Sequence, residues 1–157
     1  MVAHEEVGHT DEAKKEIHSI FGKEEAFDTP KPVRLMKRVL EVGTKANDND
    51  LVLDFFAGSG TLGQAMLELN HDDGGNRKFL LVQLPEPTGN NEFATITEIG
   101  KQRITRIIKK LNDDPSQKLD LGDQKAPEDR GFKVFKLARP NIQQWSQDEE
   151  RDPEAYA

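Results

Sequence analysis

The chain has 157 residues, 34% of them hydrophobic and 32% charged, with a formal net charge of −7 and no cysteine. That is enough apolar material for one compact domain and little more, and the lack of cysteine excludes a disulfide framework, thiolate zinc sites and cysteine nucleophiles. The acidic balance places the main surface for any DNA binding outside this chain. The N-terminus has no basic region followed by an apolar run, and no stretch approaches the roughly 20 apolar residues of a membrane span, so a soluble, cytoplasmic protein with no membrane association is expected.

In chain order, residues 1–9 read as a lead-in and Thr10 as the cap of a helix reaching Phe21, with Asp11 and Glu12 suiting its dipole, Ala13, Ile17 and Ile20 on one face, and Gly22 as its stop. Thr29 stands where an N-cap should be and Pro30 at a first helical position, opening a helix to about Val42 with Leu35, Met36, Val39 and Leu40 as its apolar stripe. Leu51 to Phe55 is a short apolar run of the buried parallel-strand type. The helix Thr61 to Asn70 follows, then a turn over 71–76 and a second buried strand, Lys78 to Leu84, ended by Pro85 and Pro87. An amphipathic helix spans about 91–111, a polar linker 112–130, and Phe132 to Leu137 alternates apolar and basic residues as a half-wet strand would. The predicted fold is an α/β, Rossmann-like βαβαβ half-sheet, parallel, right-handed and flanked by helices. Its parts are a lead-in and helix over 1–26, the half-domain over 27–140, and an acidic, flexible tail over 141–157 with Trp145 as an anchor.

Gly58-Ser59-Gly60-Thr61-Leu62-Gly63 fits G-x-G-x-x-G between a strand and a helix. Glycines allow a sharp turn and close approach of a ligand, and the helix N-terminus offers free N–H groups to an anion. A tight turn that merely packs strand on helix is the alternative. Asp54, at the carboxyl end of the strand, selects among ligands. An acid there would repel a dinucleotide pyrophosphate and so disfavours a nicotinamide dehydrogenase, whereas it suits the cationic groups of S-adenosylmethionine.

Asp54-Phe55-Phe56-Ala57-Gly58-Ser59-Gly60-Thr61 resembles motif I of the β-class amino-methyltransferases of DNA. Phe27-Asp28-Thr29-Pro30-Lys31-Pro32, with Leu35 and Arg38, resembles their motif X, which precedes motif I in that class. With residues 76–87 and 131–137, the pattern is similar to the modification subunit of type III restriction-modification systems, over roughly residues 7–145. The resemblance implies a site-specific DNA adenine-N6 methyltransferase using S-adenosyl-L-methionine. It implicates Phe27, Thr29 and Lys31 from motif X, and Asp54, Phe55, Phe56, Ala57, Gly58, Ser59, Gly60 and Thr61 from motif I, in holding that cofactor. The end of the second strand should meet the ribose. Gln83 stands there in place of the usual acid, Glu86 is the nearest carboxylate, and Leu84 and Pro85 flank the adenine.

The catalytic Asp/Asn-Pro-Pro-aromatic motif is not found, so no catalytic residue is assigned. Asp152-Pro153-Glu154-Ala155-Tyr156 is the closest string and does not fit. The motif and the target-recognition region precede motif X in the β class, so they are expected upstream or in another chain, with DNA reached through the complete enzyme and a restriction subunit as a further partner. The resemblance also implies that the strand carrying the family's catalytic motif lies beside Leu51 to Phe55, which would leave here an apolar edge without lysine or proline to discourage pairing, open to an upstream polypeptide, to a second copy in a homodimer, or to a terminal segment of the chain itself. A truncated, catalytically inactive binding module is the alternative. His4, His9, His18 and His71 have no ligand spacing, so no metal is assigned. Lys101, Arg103, Arg106, Lys109 and Lys110 read as a solvated basic helix end.

Overall fold

Six elements follow one another as helix, helix, strand, helix, strand, helix in the computed structural model, which describes residues 10–22, 27, 29–90, 92–114 and 130–138. Helix α1 (Thr10–Phe21) buries Ala13, Ile17 and Phe21, the i, i+4, i+8 stripe of one face. It ends at Gly22, whose φ of 74° no other residue adopts cheaply, and whose N–H reaches the His18 carbonyl at 2.6 Å.

Helix α2 (Val33–Gly43) begins three residues later than Thr29-Pro30 suggests. Pro32 is the reason. Its ring keeps Lys31 out of the helical region, and its own extended ψ of 137° makes it the cap. Pro32 has no side-chain acceptor, and the Glu16 carboxylate of α1 supplies one, taking the Val33 N–H at 3.1 Å. Burial pushes the Glu16 carboxyl above its ordinary range, and the bond from Val33 opposes that shift. The buried stripe of α2 is Val33, Met36 and Leu40; Val39, expected inside, is 54% exposed because it lies off that i, i+3, i+7 line.

Strands β1 (Leu51–Asp54) and β2 (Lys78–Leu81) pair in parallel, Leu51 opposite Lys78 and Asp54 opposite Leu81. Between them runs α3 (Thr61–Asp73), which continues three residues beyond the expected end and is capped by Gly74 at φ 67°. The last helix, α4 (Ile96–Asn112), starts later than position 91. Thr95 caps it, and Glu98 reaches back to the Thr95 N–H at 3.4 Å, a Thr-x-x-Glu box legible in the sequence. Before it, Phe93 is buried edge-on against Phe21, ring centroids 5.2 Å apart.

The third strand expected at Phe132 to Leu137 does not form. Alternation makes a chain extended but a strand needs a ladder neighbour, and the sheet among the described residues has two strands only. Phe132 packs on the Leu67, Ile104, Ile107 and Leu111 cluster instead, and Phe135 and Leu137 stay exposed. The observed arrangement is therefore α/β with one βαβ unit, short of the βαβαβ expected. The tail and Trp145 lie outside the described residues.

The core occupies one side of the sheet. Val52, Phe79 and Leu81 face the helices, where α3 is central and α2 and α4 flank it. Leu51, Leu53 and Leu80 point the other way and are exposed. Neither that face nor the outer edge of β1 carries an element among the described residues.

Gly63 is where α3 meets its neighbours most tightly. A Cβ there would lie 2.6 Å from Ile104 Cδ1 and 3.0 Å from Leu81 Cδ1. Gly63→Val should therefore lower stability by about 1–3 kcal/mol through overpacking, read as a drop in the urea midpoint at unchanged slope. An unchanged midpoint would show that the contact relaxes freely.

Candidate functional site

The loop after β1 is shaped by backbone bonds before any ligand is considered. The ladder runs past the end of the strands, Val82 N–H to Asp54 O at 2.8 Å and Ala57 N–H to Val82 O at 3.1 Å. The Gly60 N–H then turns back to Ala57 O at 2.8 Å. Gly58 and Gly60 take φ of 53° and 77°, the left-handed region that a side chain strains. Each is also approached closely: a Cβ on Gly58 would lie 3.3 Å from the Phe27 ring, and one on Gly60 3.4 Å from the Gly100 backbone.

Two side chains hold this turn from the strand ends. Asp54 Oδ1 accepts the Phe56 N–H at 3.0 Å, fixing a carboxylate at the mouth of the loop. Gln83 Oε1 accepts the Gly58 N–H at 2.8 Å, and its Nε2 donates to the Leu84 carbonyl at 3.2 Å. The Gln83 amide oxygen thus ties the end of β2 to the glycine loop.

A third side chain holds the loop from inside. Arg103, on α4, is fully buried. Its Nη1 donates to Ser59 Oγ at 2.9 Å and to Thr61 Oγ1 at 2.8 Å, and its Nε to Gln64 Oε1 at 2.6 Å. Burial pushes the guanidinium down to about 10, through-space attraction to Glu16 and Glu68 opposing this, so it is charged at neutral pH. The expected solvated basic end of α4 is thereby corrected. Arg106 is engaged too, 4.9 Å over the Phe21 ring and bonded to the Ile20 carbonyl at 2.7 Å, while Lys101, Lys109 and Lys110 remain exposed. The signal for Arg103 was in the sequence. Ile99, Arg103 and Ile107 are four residues apart, which puts the arginine in the middle of the buried stripe.

Beside the loop is an open cavity of about 300 Å³ lined by Phe27, Phe55, Phe56, Gly58, Val82, Gln83, Leu84, Glu86 and Ile96. The structure thus gathers Phe27 with the loop and with the end of β2, as the sequence suggested. Phe55 and Phe56 are exposed, Ala57 and Gly58 half-buried, and Asp54 half-buried just behind them. Ser59, Gly60 and Thr61 are buried, the two hydroxyls turned to Arg103. Thr29, Lys31 and Pro85 are exposed and do not line the cavity. Val82 and Ile96 are lining residues that motif reading missed, because only the fold brings the start of α4 beside the end of β2. A larger cavity, about 540 Å³, lies among the helices, bordered by Glu16, Lys37, Gln64, Glu68, Arg106 and Lys110. It is a groove of paired charges, with Lys37 bridging Glu68 and Asp72 at 3.0 Å each, and the strand-end chemistry is not there.

A model of the DNA methylase family, of the N6/N4 type, matches residues 3–130. Among curated proteins, the chain is 41% identical over 140 residues to the type III restriction-modification enzyme StyLTI Mod subunit of Salmonella typhimurium, covering 84% of this chain and 20% of that protein. It is 38% identical over 107 residues to the EcoPI Mod subunit of Escherichia phage P1, covering 64% of this chain and 16% of that one. It is 33% identical over 119 residues to the type II methyltransferase M.KpnI of Klebsiella pneumoniae, covering 72% and 28%. The chain therefore spans about a fifth of the length of the type III relatives it matches.

The Gln83 bond generates a prediction about the loop. Gln83→Leu leaves the Gly58 N–H without its acceptor, at a cost of about 1–3 kcal/mol if it stays buried, and should speed amide exchange at Gly58. Gln83→Glu restores an acceptor and should restore protection. Equal exchange in both variants would show that the ladder alone holds the turn.

Proposed function

Since the chain belongs to the DNA methylase family of the N6/N4 type, we propose that it is the S-adenosylmethionine-binding portion of a site-specific DNA adenine-N6 methyltransferase of a restriction-modification system. The observation that carries the reading is the meeting of the two motifs: the Phe27 ring lies against Gly58 of a glycine turn that begins at a strand-end carboxylate. The donor set fits S-adenosylmethionine. Phe55, Phe56 and Leu84 offer apolar surface to an adenine ring. Asp54 suits an ammonium or sulfonium, and the start of α3 suits a carboxylate. Gln83 Oε1 is engaged by the Gly58 N–H, and Glu86 at the cavity wall is the acid available to the ribose hydroxyls. Thr29 and Lys31, exposed and shortly after Phe27 in the sequence, are the motif X groups with the chemistry to hold the methionine carboxylate.

When bound, the cofactor supplies an electrophilic methyl group. This chain's residues bind and orient it. Acceptance of a flipped adenine belongs to an Asp-Pro-Pro-Tyr type of motif, and no such string occurs in these 157 residues. In this reading the catalytic motif and target recognition come from polypeptide beyond this chain, meeting it along the uncovered face and edge of β1, with DNA and a restriction subunit engaged through the complete enzyme. A second copy of the chain is the other occupant of that edge. No helix among the described residues is long and apolar enough to cross a membrane.

Calorimetric titration should show weak binding of S-adenosylmethionine in preference to NAD. Asp54→Ala should abolish most of it, and Lys101→Ala, at an exposed position on α4, should not change it. Tighter binding of NAD would refute the assignment.

The chain alone should transfer no methyl group to DNA. Incubation with labelled cofactor and mixed duplexes should leave adenine unlabelled, and label appearing on mixing with a fragment that carries the catalytic motif would support the divided reading. Label transferred by the chain alone would place catalytic groups within it. Binding without transfer under every condition would favour the inactive cofactor-binding module.

A further inference from the structure

The start of α3 already carries the positive end of a helix dipole, and the first turn of α3 contains no acid. A second positive charge placed there works against stability. Yet Arg103 is buried at that point, bonded to Ser59 and Thr61 on either side of the Gly60 cap. No carboxylate touches it among the described residues, since its partners are two hydroxyls and a carboxamide oxygen. Its Nη2 is buried with no hydrogen-bond acceptor there. A buried guanidinium with no carboxylate in contact and one amino group left without an acceptor among the described residues costs more in a protein interior than a methionine or leucine on that stripe would.

Across the same turn stands the opposite charge. Asp54 is anchored at the loop mouth by the Phe56 N–H. The turn from Asp54 to Thr61 is thus polarised, with a carboxylate at its entry and a cation behind its exit. A ligand lying along it with a cationic and a carboxylate group meets complementary potential at both ends.

We infer that Arg103 is a positioning and specificity-determining residue of the cofactor site: it sets the glycine turn through the Ser59 and Thr61 hydroxyls, and its buried charge, which no carboxylate contacts among the described residues, makes the turn select ligands that carry a carboxylate. The inference rests on the cofactor reading above and deepens it. Arg103 acts through the loop, without touching the ligand.

The test uses the full chain and two ligands, S-adenosylmethionine and its decarboxylated analogue, which differ by the carboxylate alone. The parent should prefer the carboxylate-bearing ligand. Arg103→Gln, which keeps a donor for one hydroxyl but no charge, should lose about tenfold more affinity for S-adenosylmethionine than for the analogue. Arg103→Lys, which keeps the charge, should weaken both ligands alike and preserve the preference. Equal losses in the Gln variant mean a merely structural role and overturn the inference. Should the Gln variant fail to fold, Glu16→Gln decides. It keeps an acceptor for the Val33 N–H and removes an acid that attracts Arg103 through space. The preference should then rise about twofold, and an unchanged or reduced preference overturns the inference. A parent chain that binds neither ligand instead overturns the cofactor reading itself.

Discussion

The guanidinium of Arg103 joins the last helix to the one turn on which the site depends. It reaches Ser59, Thr61 and Gln64 at once, so the glycine turn, the first turn of α3 and the middle of α4 are bound into a single unit. Truncating it would strand two hydroxyls and a carboxamide oxygen, at about 1–3 kcal/mol for each one left buried and unpaired. The cross-link is possible because glycine lets the two helices close on each other. Gly100 of α4 lies over Gly60 and Gly58, and Ile104 of α4 fills the space above Gly63. The three glycines of the G-x-G-x-x-G string therefore serve packing as much as a ligand: two set the turn and the third admits the neighbouring helix.

A second set of constraints comes from long-range caps. Pro32 cannot cap α2 with its side chain, and Glu16 of α1 does so, bonding the Val33 N–H across a sequence separation of 17 residues. Arg34 returns along the same pair of helices to the Glu12 carboxylate at 2.6 Å. At the other end of the sheet Arg77, itself buried, donates to Thr44 and Asn70 and pairs with Asp73 at 2.9 Å, closing the turn that leads into β2. Polar groups thus fix how the first two helices and the second strand enter the fold, and the apolar clusters fill the space between them.

The one-sided sheet follows from which faces have covers. The crossover helix α3 and its flanking neighbours α2 and α4 pack against Val52, Phe79 and Leu81, and the alternate residues Leu51, Leu53 and Leu80 are exposed together with Phe55 and Phe56. Parallel sheets are normally buried on both faces. The apolar residues on both faces of β1 and β2 suit a sheet covered on both sides, and they are the physical basis of the proposal that further polypeptide covers the side left open among the described residues.

Sequence alone determined the elements whose causes are local. The apolar runs of β1 and β2, the glycine turn and the amphipathic stripes of α1 and α3 need only neighbours within a few residues and were legible, although β2 stops at Leu81 rather than Leu84 and Phe21, not Ile20, completes the buried stripe of α1. The pairing of motif X with motif I was legible as a resemblance, and the Phe27–Gly58 contact gave it geometry. Tertiary structure decided what depends on distant partners. Whether residues 132–137 form a strand depends on a free edge beside them. Where α2 starts depends on Pro32 and on a glutamate from another helix. Gln83 holds the loop because the fold brings the end of β2 against Gly58. Arg103 is buried because α4 crosses α3 where glycines remove the side chains, and a charge in an apolar stripe reveals its partner only when the facing helix is in place.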